Sequence, residues 1–519
     1  LIKNAAVFDG DAIEPQRLTV GVTGEKIVHV GAELTGSAAR RVIDAAGLFL
    51  CPGFIDTHAS TGFGYTLPHA TDHKLYQGVT TEIIGNCGIS PAPIGALHVE
   101  EIQALAQQIG FAFTWRSLAE WLEGIEQHGA AINFGTFAGH NTLRAGVVRN
   151  AEAIAEGEVE ALKKLVEHSM RDGALGFSTG LVYAPGSFAE TAELIACARI
   201  AAQHGGLYAS HIRNEREAVE EAVEEALTIG REAGIRVLIS HLKSAEKPNW
   251  GKIPKLIARI EQARKAGQQV LFEVYPYTAV STKLSAYLPK EALDGGVQAL
   301  PEKLRTSEWR NRSVHWLRSR ETVFERMLLI TESLPCARGK SLAELAGRTG
   351  QDPAQLAVDV LIADPAAWIV YHCLAQDDVD AAVLWPDAIV CSDSWSYPVN
   401  ARNAIGHPHP RTFGAFTRFL EQYALKKQRL RFGHAIKKIT SVPADFVGLP
   451  GRGRIRVGHF ADLVLLDPAA VEERATFENP RQFSRGTTYL WLNGTPVIKN
   501  GRLRERRPGH VIRRAGHER

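Results

Sequence analysis

Two pentapeptides constrain the fold more than anything else in the chain: Leu207-Tyr-Ala-Ser-His211 and Val237-Leu-Ile-Ser-His241. Each is a short apolar run of β type that ends in Ser-His, and each lies between segments of helical composition. The same unit recurs on both sides. Glu158–Asp172 reads as helix and Gly173–Phe177 as strand. Thr191–His204 is again helical, followed by Leu207–Ser210. Arg216–Ala233 precedes Val237–Ser240, and Ile253–Ala266 precedes Val270–Tyr275. The repeat of about 30 residues is that of a βα unit. Upstream, Gly53–Thr57, Thr80–Gly85 and Ile132–Ala138 also read as strands. Downstream, Trp368–Tyr371 and Ala388–Cys391 do too. This is one candidate more than an eight-stranded barrel needs. Ala388–Cys391 is taken as the last strand and Trp368–Tyr371 is left unplaced. Right-handed crossovers allow a closed barrel or an open doubly wound sheet. The lack of a Gly-x-Gly-x-x-Gly turn after a strand argues against a dinucleotide site.

The ends have a different texture. Ala6–Phe8, Leu18–Val20 and Lys26–Val30 near the start resemble Ala461–Leu466 and Thr488–Leu492 near the end, all short β pieces broken by turns. The expected division is a small β domain from residues 1–51 with 445–519, and a barrel over 52–444. A helical insert at about 290–340 interrupts the βα rhythm. It carries Arg305, Trp309, Arg310, Arg312, Trp316, Arg318 and Arg320, read as an amphipathic lid with a solvated face rather than a nucleic-acid surface. Basic and acidic residues number 59 and 57, for a net charge of +2, which gives no reason to propose a nucleic-acid or membrane partner. Leu1–Val7 shows neither a basic leader nor a long apolar stretch. Six cysteines in 519 residues form no disulfide framework. A reduced, cytoplasmic protein is expected.

In a parallel barrel, ligands and catalytic groups collect at the carboxyl ends of the strands. His211 and His241 occupy that position on neighbouring strands, where they are placed to share a metal ion, the alternative being a pair of core histidines. His58 in Asp56-Thr-His58, Cys87 in Asn86-Cys87-Gly88, and Asp393 in Ser392-Asp393-Ser394 end three further strands. A thiolate beside imidazoles suits Zn2+, and a carboxylate there suits a ligand or a general base.

At this point the sequence resembles the N-acyl-D-amino-acid deacylases of the metal-dependent amidohydrolase superfamily. The resemblance is carried by Pro52-Gly-Phe-Ile-Asp-Thr-His58, Gly85-Asn-Cys-Gly-Ile-Ser90, Gly173-Ala-Leu-Gly-Phe-Ser-Thr-Gly180, Ser210-His-Ile-Arg-Asn-Glu215, Ser240-His-Leu-Lys243, Tyr275-Pro-Tyr277 and His407-Pro-His-Pro-Arg411. It runs almost end to end. It implies a (β/α)8 barrel with a small β domain built from both termini, and hydrolysis of the amide of a small N-acyl-D-amino acid. It implies that Cys87, His211 and His241 hold zinc and that Asp393 is the catalytic base. Tyr183 would polarise the scissile carbonyl, with His58 assisting. Lys243, Tyr275 and Ser281 would hold the substrate carboxylate.

Two departures stand out. The family's His-x-His reads His58-Ala-Ser60 here, so one tightly bound zinc is expected rather than two. Where relatives place an arginine for the substrate carboxylate, this chain reads Asp380-Ala381, with Arg338 in the insert as a substitute. The second departure predicts weak recognition of simple N-acyl-D-amino acids. It keeps a cyclic-amide hydrolase of hydantoinase or dihydroorotase type as the alternative. A barrel scaffold without catalysis is the other, and it is disfavoured by the retained Cys87, His211, His241 and Asp393.

Overall fold

The computed structural model describes the chain apart from residues 33, 35–38, 60–61, 63–64, 66, 68, 110–112, 150–153, 321, 332, 335–336, 397–406 and 515–519. Ser60 and Thr61 therefore lie outside the described residues. Parallel strands run in order β1 (Phe54–Asp56), β2 (Val79–Ile84), β3 (Asn133–Thr136, resumed at Ala138–Gly139), β4 (Gly176–Gly180), β5 (Leu207–His211), β6 (Arg236–Ile239), β7 (Val270–Val274) and β8 (Ile389–Val390). A three-stranded and a six-stranded sheet share the broken β3, which gives the eight strands of a (β/α)8 barrel. The ring closes where Ala59 pairs with Ser394 and Asp56 Oδ1 accepts from the Ser392 amide at 3.0 Å. Strands β4, β5 and β7 are buried at every residue, as parallel strands covered on both faces must be.

The helices form the outer ring because each has one apolar face. In Val219–Ala233 the inward face is Val219, Ala222, Val223, Ala226, Leu227 and Gly230, and Gly234 ends the helix in the left-handed region at φ 65°. Two expected elements move. The fourth strand starts at Gly176, not Gly173. Gly173, at φ 110°, ends the preceding helix, and Ala174 donates to the Ser169 carbonyl before the chain enters the sheet. Trp368–Tyr371 lies outside the barrel, between Val280–Lys283 and Met327–Leu329 in an antiparallel sheet beside it. The insert contributes helices Gly296–Arg305 and Ser307–Ser319 as well as the strand Met327–Leu329.

Both ends of the chain build one nine-stranded sheet. Its central pairing is Phe49–Pro52 against Leu463–Leu466, antiparallel. Alternation decides which face each residue serves. Leu463 and Leu465 pack with Leu50, Val20 and Trp491 in a separate small core, while Val464 and Leu466 join the main core of the barrel. A buried polar knot fastens sheet to barrel. Asp462 ion-pairs with Arg452 and accepts from the Asn493 amide at 2.8 Å and from Asn133 Nδ2 at 3.1 Å, with Asn133 standing in β3. Asp462→Ala leaves the Arg452 guanidinium buried without its counter-charge. The variant is expected to lose about 3–5 kcal/mol of stability, read as a lower urea midpoint at unchanged slope.

Candidate active site

The carboxyl ends of the strands open into a cavity of about 1550 Å³. Cys87, Tyr183, His211, His241, Lys243, Tyr275, Ser281 and Asp393 all line it, so the structure brings most of the expected site residues into one space. Three of them are held in the left-handed region, unusual for residues with a side chain: Cys87 at φ 53°, His241 at φ 34° and Asp393 at φ 47°. Each terminates its strand with a sharp turn that swings the side chain over the barrel axis. Such conformations persist only where the surroundings over-determine them, and they concentrate at functional sites.

For Cys87 those surroundings are visible. Asn141 donates to the carbonyls of Gly180 and Tyr183, both at 3.1 Å, and its Oδ1 accepts from the Gly180 amide. A Cβ on Gly180 would lie 2.1 Å from the Cys87 carbonyl oxygen, and one on Gly88 would lie 2.1 Å from Asn141 Oδ1. The two glycines let the Cys87 turn and the Tyr183 turn approach each other. Tyr183 donates to or accepts from Thr282 Oγ1 at 2.9 Å, and burial pushes its hydroxyl well above the ordinary phenol range.

Cys87 Sγ is the centre of the cluster. It lies 3.4 Å from His211 Nδ1, 3.5 Å from His241 Nε2 and 3.2 Å from His58 Nε2. A tetrahedral zinc with Zn–S of about 2.3 Å and Zn–N of about 2.0–2.1 Å separates sulfur from nitrogen by roughly 3.5 Å. The thiol and the two strand-end imidazoles therefore fit that ion in chemistry and in spacing. Asp393 completes a group with His58, Cys87 and His241 whose donor atoms all lie within 4.8 Å of one another. Burial raises the Cys87 thiol, but His58 and His241 outweigh it and hold it below its ordinary value. Burial lowers His211 to about 4, leaving it the neutral imidazole that a ligand must be. Asp393 is buried, yet Arg411, His241, His58 and Lys243 keep it well below the usual carboxylate range.

Two expectations need correction. His58 does not line the cavity. It is fully buried behind Cys87, with Nδ1 on Glu273 Oε2 at 2.7 Å and Nε2 3.6 Å from Asp393 Oδ1, so it touches the cluster and not the space a substrate carbonyl would enter. The Asp380-Ala381 position lies outside the cavity as well. Ala381 sits on the helix Gln376–Leu384, packed against the hydrophobic core, and Asp380 beside it pairs with Arg429 and accepts from the Tyr423 hydroxyl at 2.6 Å. Neither reaches the cavity, and Arg338 is exposed outside it. The guanidinium in the cavity wall is Arg411. It lies 3.0 Å from Asp393 Oδ2 and 4.5 Å over the Tyr275 ring. Lys243 Nζ lies 5.6 Å from the centre of the same ring, and the buried Tyr275 hydroxyl makes no hydrogen bond among the described residues. Sequence reasoning had Arg411 in hand as the end of His407-Pro-His-Pro-Arg411 but gave it no role. A rigid, proline-bearing turn after the last barrel strand was the available signal.

Across its whole length the chain is similar to proteins of one kind. It is 34% identical to the N-acyl-D-glutamate deacylase of Alcaligenes xylosoxydans xylosoxydans, over 99% of this chain and 96% of that one. It is 33% identical to the D-aminoacylase of the same organism, over 99% and 97%. The chain belongs to the N-acyl-D-amino-acid deacylase family. Residues 401–498 also match the model of the amidohydrolase family. Among solved structures, the N-acyl-D-glutamate deacylase of Bordetella bronchiseptica, complexed with zinc and a phosphonate that mimics the tetrahedral intermediate, superposes with a TM-score of 0.83 at 31% identity, covering 99% of this chain and 98% of that one. The (β/α)8 barrel that the resemblance implies is present here. Among the described residues, no helix is long and apolar enough to cross a membrane.

The close approach at Gly180 is open to test. Gly180→Ala drives a methyl into the Cys87 backbone and is expected to lower zinc affinity at least tenfold and to destabilise the fold by about 1–3 kcal/mol. Gly157→Ala, on a helix with open space at the same position, is expected to change neither. Bound zinc after dialysis and urea midpoints measure both.

Proposed function

We propose that this chain is a zinc-dependent amide hydrolase that removes the acyl group from N-acyl-D-amino acids. The observation that carries the reading is one cavity in which a Cys-His-His donor set at zinc spacing shares the wall with the Asp393 carboxylate and with Lys243, Tyr275 and Arg411. Membership of a family whose relatives bear the names of deacylases supports it. In this reading Cys87, His211 and His241 hold one zinc ion. A zinc ion in such a site supplies a Lewis acid for the scissile carbonyl and brings the pKa of adjacent water to about 7.

The chain's own groups do the rest. Asp393 takes a proton from the attacking water on its carboxylate and returns it to the departing amide nitrogen. Tyr183, kept protonated by burial and oriented by Thr282, donates to the carbonyl oxygen as negative charge develops there. Arg411, Lys243, the Tyr275 hydroxyl and Ser281 receive the substrate carboxylate, and Arg411 offers the planar fork that carboxylates favour. His58, anchored by Glu273, braces Cys87 and Asp393 from behind. The cyclic-amide alternative rested on the absent arginine and loses its motive with Arg411 in place. We also propose that residues 52–444 carry the site, that 1–51 with 445–519 form the small β domain, and that the insert at about 290–340 covers the mouth, since Leu293, Asp294 and Gly296 line the cavity. A reducing compartment such as the cytoplasm suits a site whose ligand is a free thiol.

Asp393→Asn is expected to keep its zinc while turnover of N-acyl-D-amino acids falls on the order of 100-fold or more. Loss of zinc in that variant would make Asp393 a ligand instead. Cys87→Ser is expected to lose zinc, and elemental analysis of the parent chain to give one ion. Arg411→Lys is expected to raise KM for N-acyl-D-amino acids roughly ten- to hundredfold, the scale of one charge-assisted contact, whereas Ala381→Arg leaves KM unchanged. An Ala381→Arg variant with improved KM would return the carboxylate site to the helix Gln376–Leu384.

A further inference from the structure

Glu215 stands four residues after His211, in the loop that leaves β5, and the chemistry above makes no use of it. The loop turns sharply. Asn214 Oδ1 accepts from the amides of Arg216 at 2.7 Å and Ala218 at 3.3 Å, which delays the next helix until Val219. The Glu215 carbonyl accepts from the Ala245 amide at 2.7 Å, tying this loop to the one that follows β6. Its side chain thereby returns to the cavity wall, only 16% exposed. Oε1 lies 2.6 Å from Lys243 Nζ and 3.1 Å from His241 Nδ1, and Oε2 lies 3.7 Å from His211 Nε2.

The ring nitrogens that face Cys87 are Nδ1 of His211 and Nε2 of His241. A neutral imidazole that gives one nitrogen to a metal carries its proton on the other. Those other nitrogens, Nε2 of His211 and Nδ1 of His241, both face Glu215. His211 Nε2 is buried and makes no hydrogen bond among the described residues, and Glu215 Oε2, at 3.7 Å, is the carboxylate oxygen it faces. Lys243 sharpens the requirement. Its Nζ lies 2.6 Å from His241 Nδ1. An ammonium only donates, so at that distance Nδ1 stands as its acceptor, the tautomer opposite to the one that a metal on Nε2 requires. Glu215 Oε1 is within reach of both groups and can take the ammonium and an Nδ1–H together. With Glu215 removed, nothing competes with the Lys243 contact, and the ring proton stays on Nε2, where the zinc should bind.

We propose that Glu215 is a positioning residue that fixes the tautomers of both zinc-ligating histidines and, through the same carboxylate, holds Lys243 in place for the substrate carboxylate. The proposal rests on the zinc-site reading above. It joins metal binding and substrate recognition through one side chain that touches neither ligand.

The test is zinc affinity of the full chain by competition with a chromogenic chelator, with zinc itself as the probe. Glu215→Gln and Glu215→Ala are both made, so that a folding failure of the alanine variant leaves the isosteric one to decide. Far-UV circular dichroism and urea midpoints of the metal-free proteins establish that each is folded. Both are expected to bind zinc roughly ten- to hundredfold more weakly than the parent, the usual scale for a lost partner of a ligating histidine. Lys243→Met alone is expected to hold zinc like the parent while raising KM. The double variant Glu215→Gln/Lys243→Met is expected to recover most of the lost affinity, because the competing donor has gone. Glu215→Gln binding zinc within twofold of the parent, or a double variant no better than the single one, overturns the proposal. A parent chain that binds no zinc, or a Cys87→Ser variant that binds it equally well, instead brings down the zinc-site reading and this proposal with it.

Discussion

The geometry around the Cys87 sulfur is the constraint on which the rest of the site depends. Three ring nitrogens from three different strands stand 3.2–3.5 Å from it, and each is held there by a group behind it. Glu273 anchors His58, the Glu215 carboxylate faces the far nitrogens of His211 and His241, and the Asn141 cradle fixes the Cys87 turn. A thiolate among three imidazoles is costly to bury unless a cation sits among them. The barrel meets that cost by keeping its remaining charges close. Arg411 pairs with Asp393 and Lys243 with Glu215, so the two carboxylates nearest the cluster each have a basic neighbour.

Below that layer, a second set of charges sets the position of Asp393. Lys74 is completely buried and contacts both Asp56 and, at 3.1 Å, Glu82. Asp56 in turn accepts from the Ser392 amide, one residue before Asp393. Removing a single member of such a set leaves an uncompensated charge in the interior, which is far worse than removing the set. Asp393 is thus registered against β1 by the buried carboxylate of Asp56. This explains why a strand as short as Ile389–Val390 still delivers Asp393 to a defined place.

What was legible in the sequence follows from how local the signal is. Ser-His at the ends of two apolar runs, and the Cys and Asp that end two more, could be read because a strand end is a local event. Arg411 and Glu215 could not be read in the same way. Arg411 is separated from Asp393 by a stretch with no regular pattern, and its place over Tyr275 is set only by packing. Glu215 stood only at the end of Ser210-His-Ile-Arg-Asn-Glu215, next to Arg216–Ala233 with its helical composition throughout. The Asn214 turn that holds it out of the helix is a side-chain effect that periodicity does not show. That Ala381 lies outside the cavity could not be read by matching positions along a line. An amphipathic helix on the outside of a barrel and the wall of its cavity can look alike in one dimension.

The sheet shared by both termini has a consequence for how the molecule is made. Phe49–Pro52 finds its main partner in Leu463–Leu466, and the whole barrel is synthesised between them. On the ribosome, that early strand must wait with an unpaired edge while every βα unit emerges. Unpaired edges of apolar strands are where nascent chains aggregate. The barrel strands pair mostly with sequence neighbours, so they can form while the sheet is still open. Completion of the small sheet is then a late event that follows barrel formation, and the apolar residues Val464 and Leu466 dock last onto a surface that is already built.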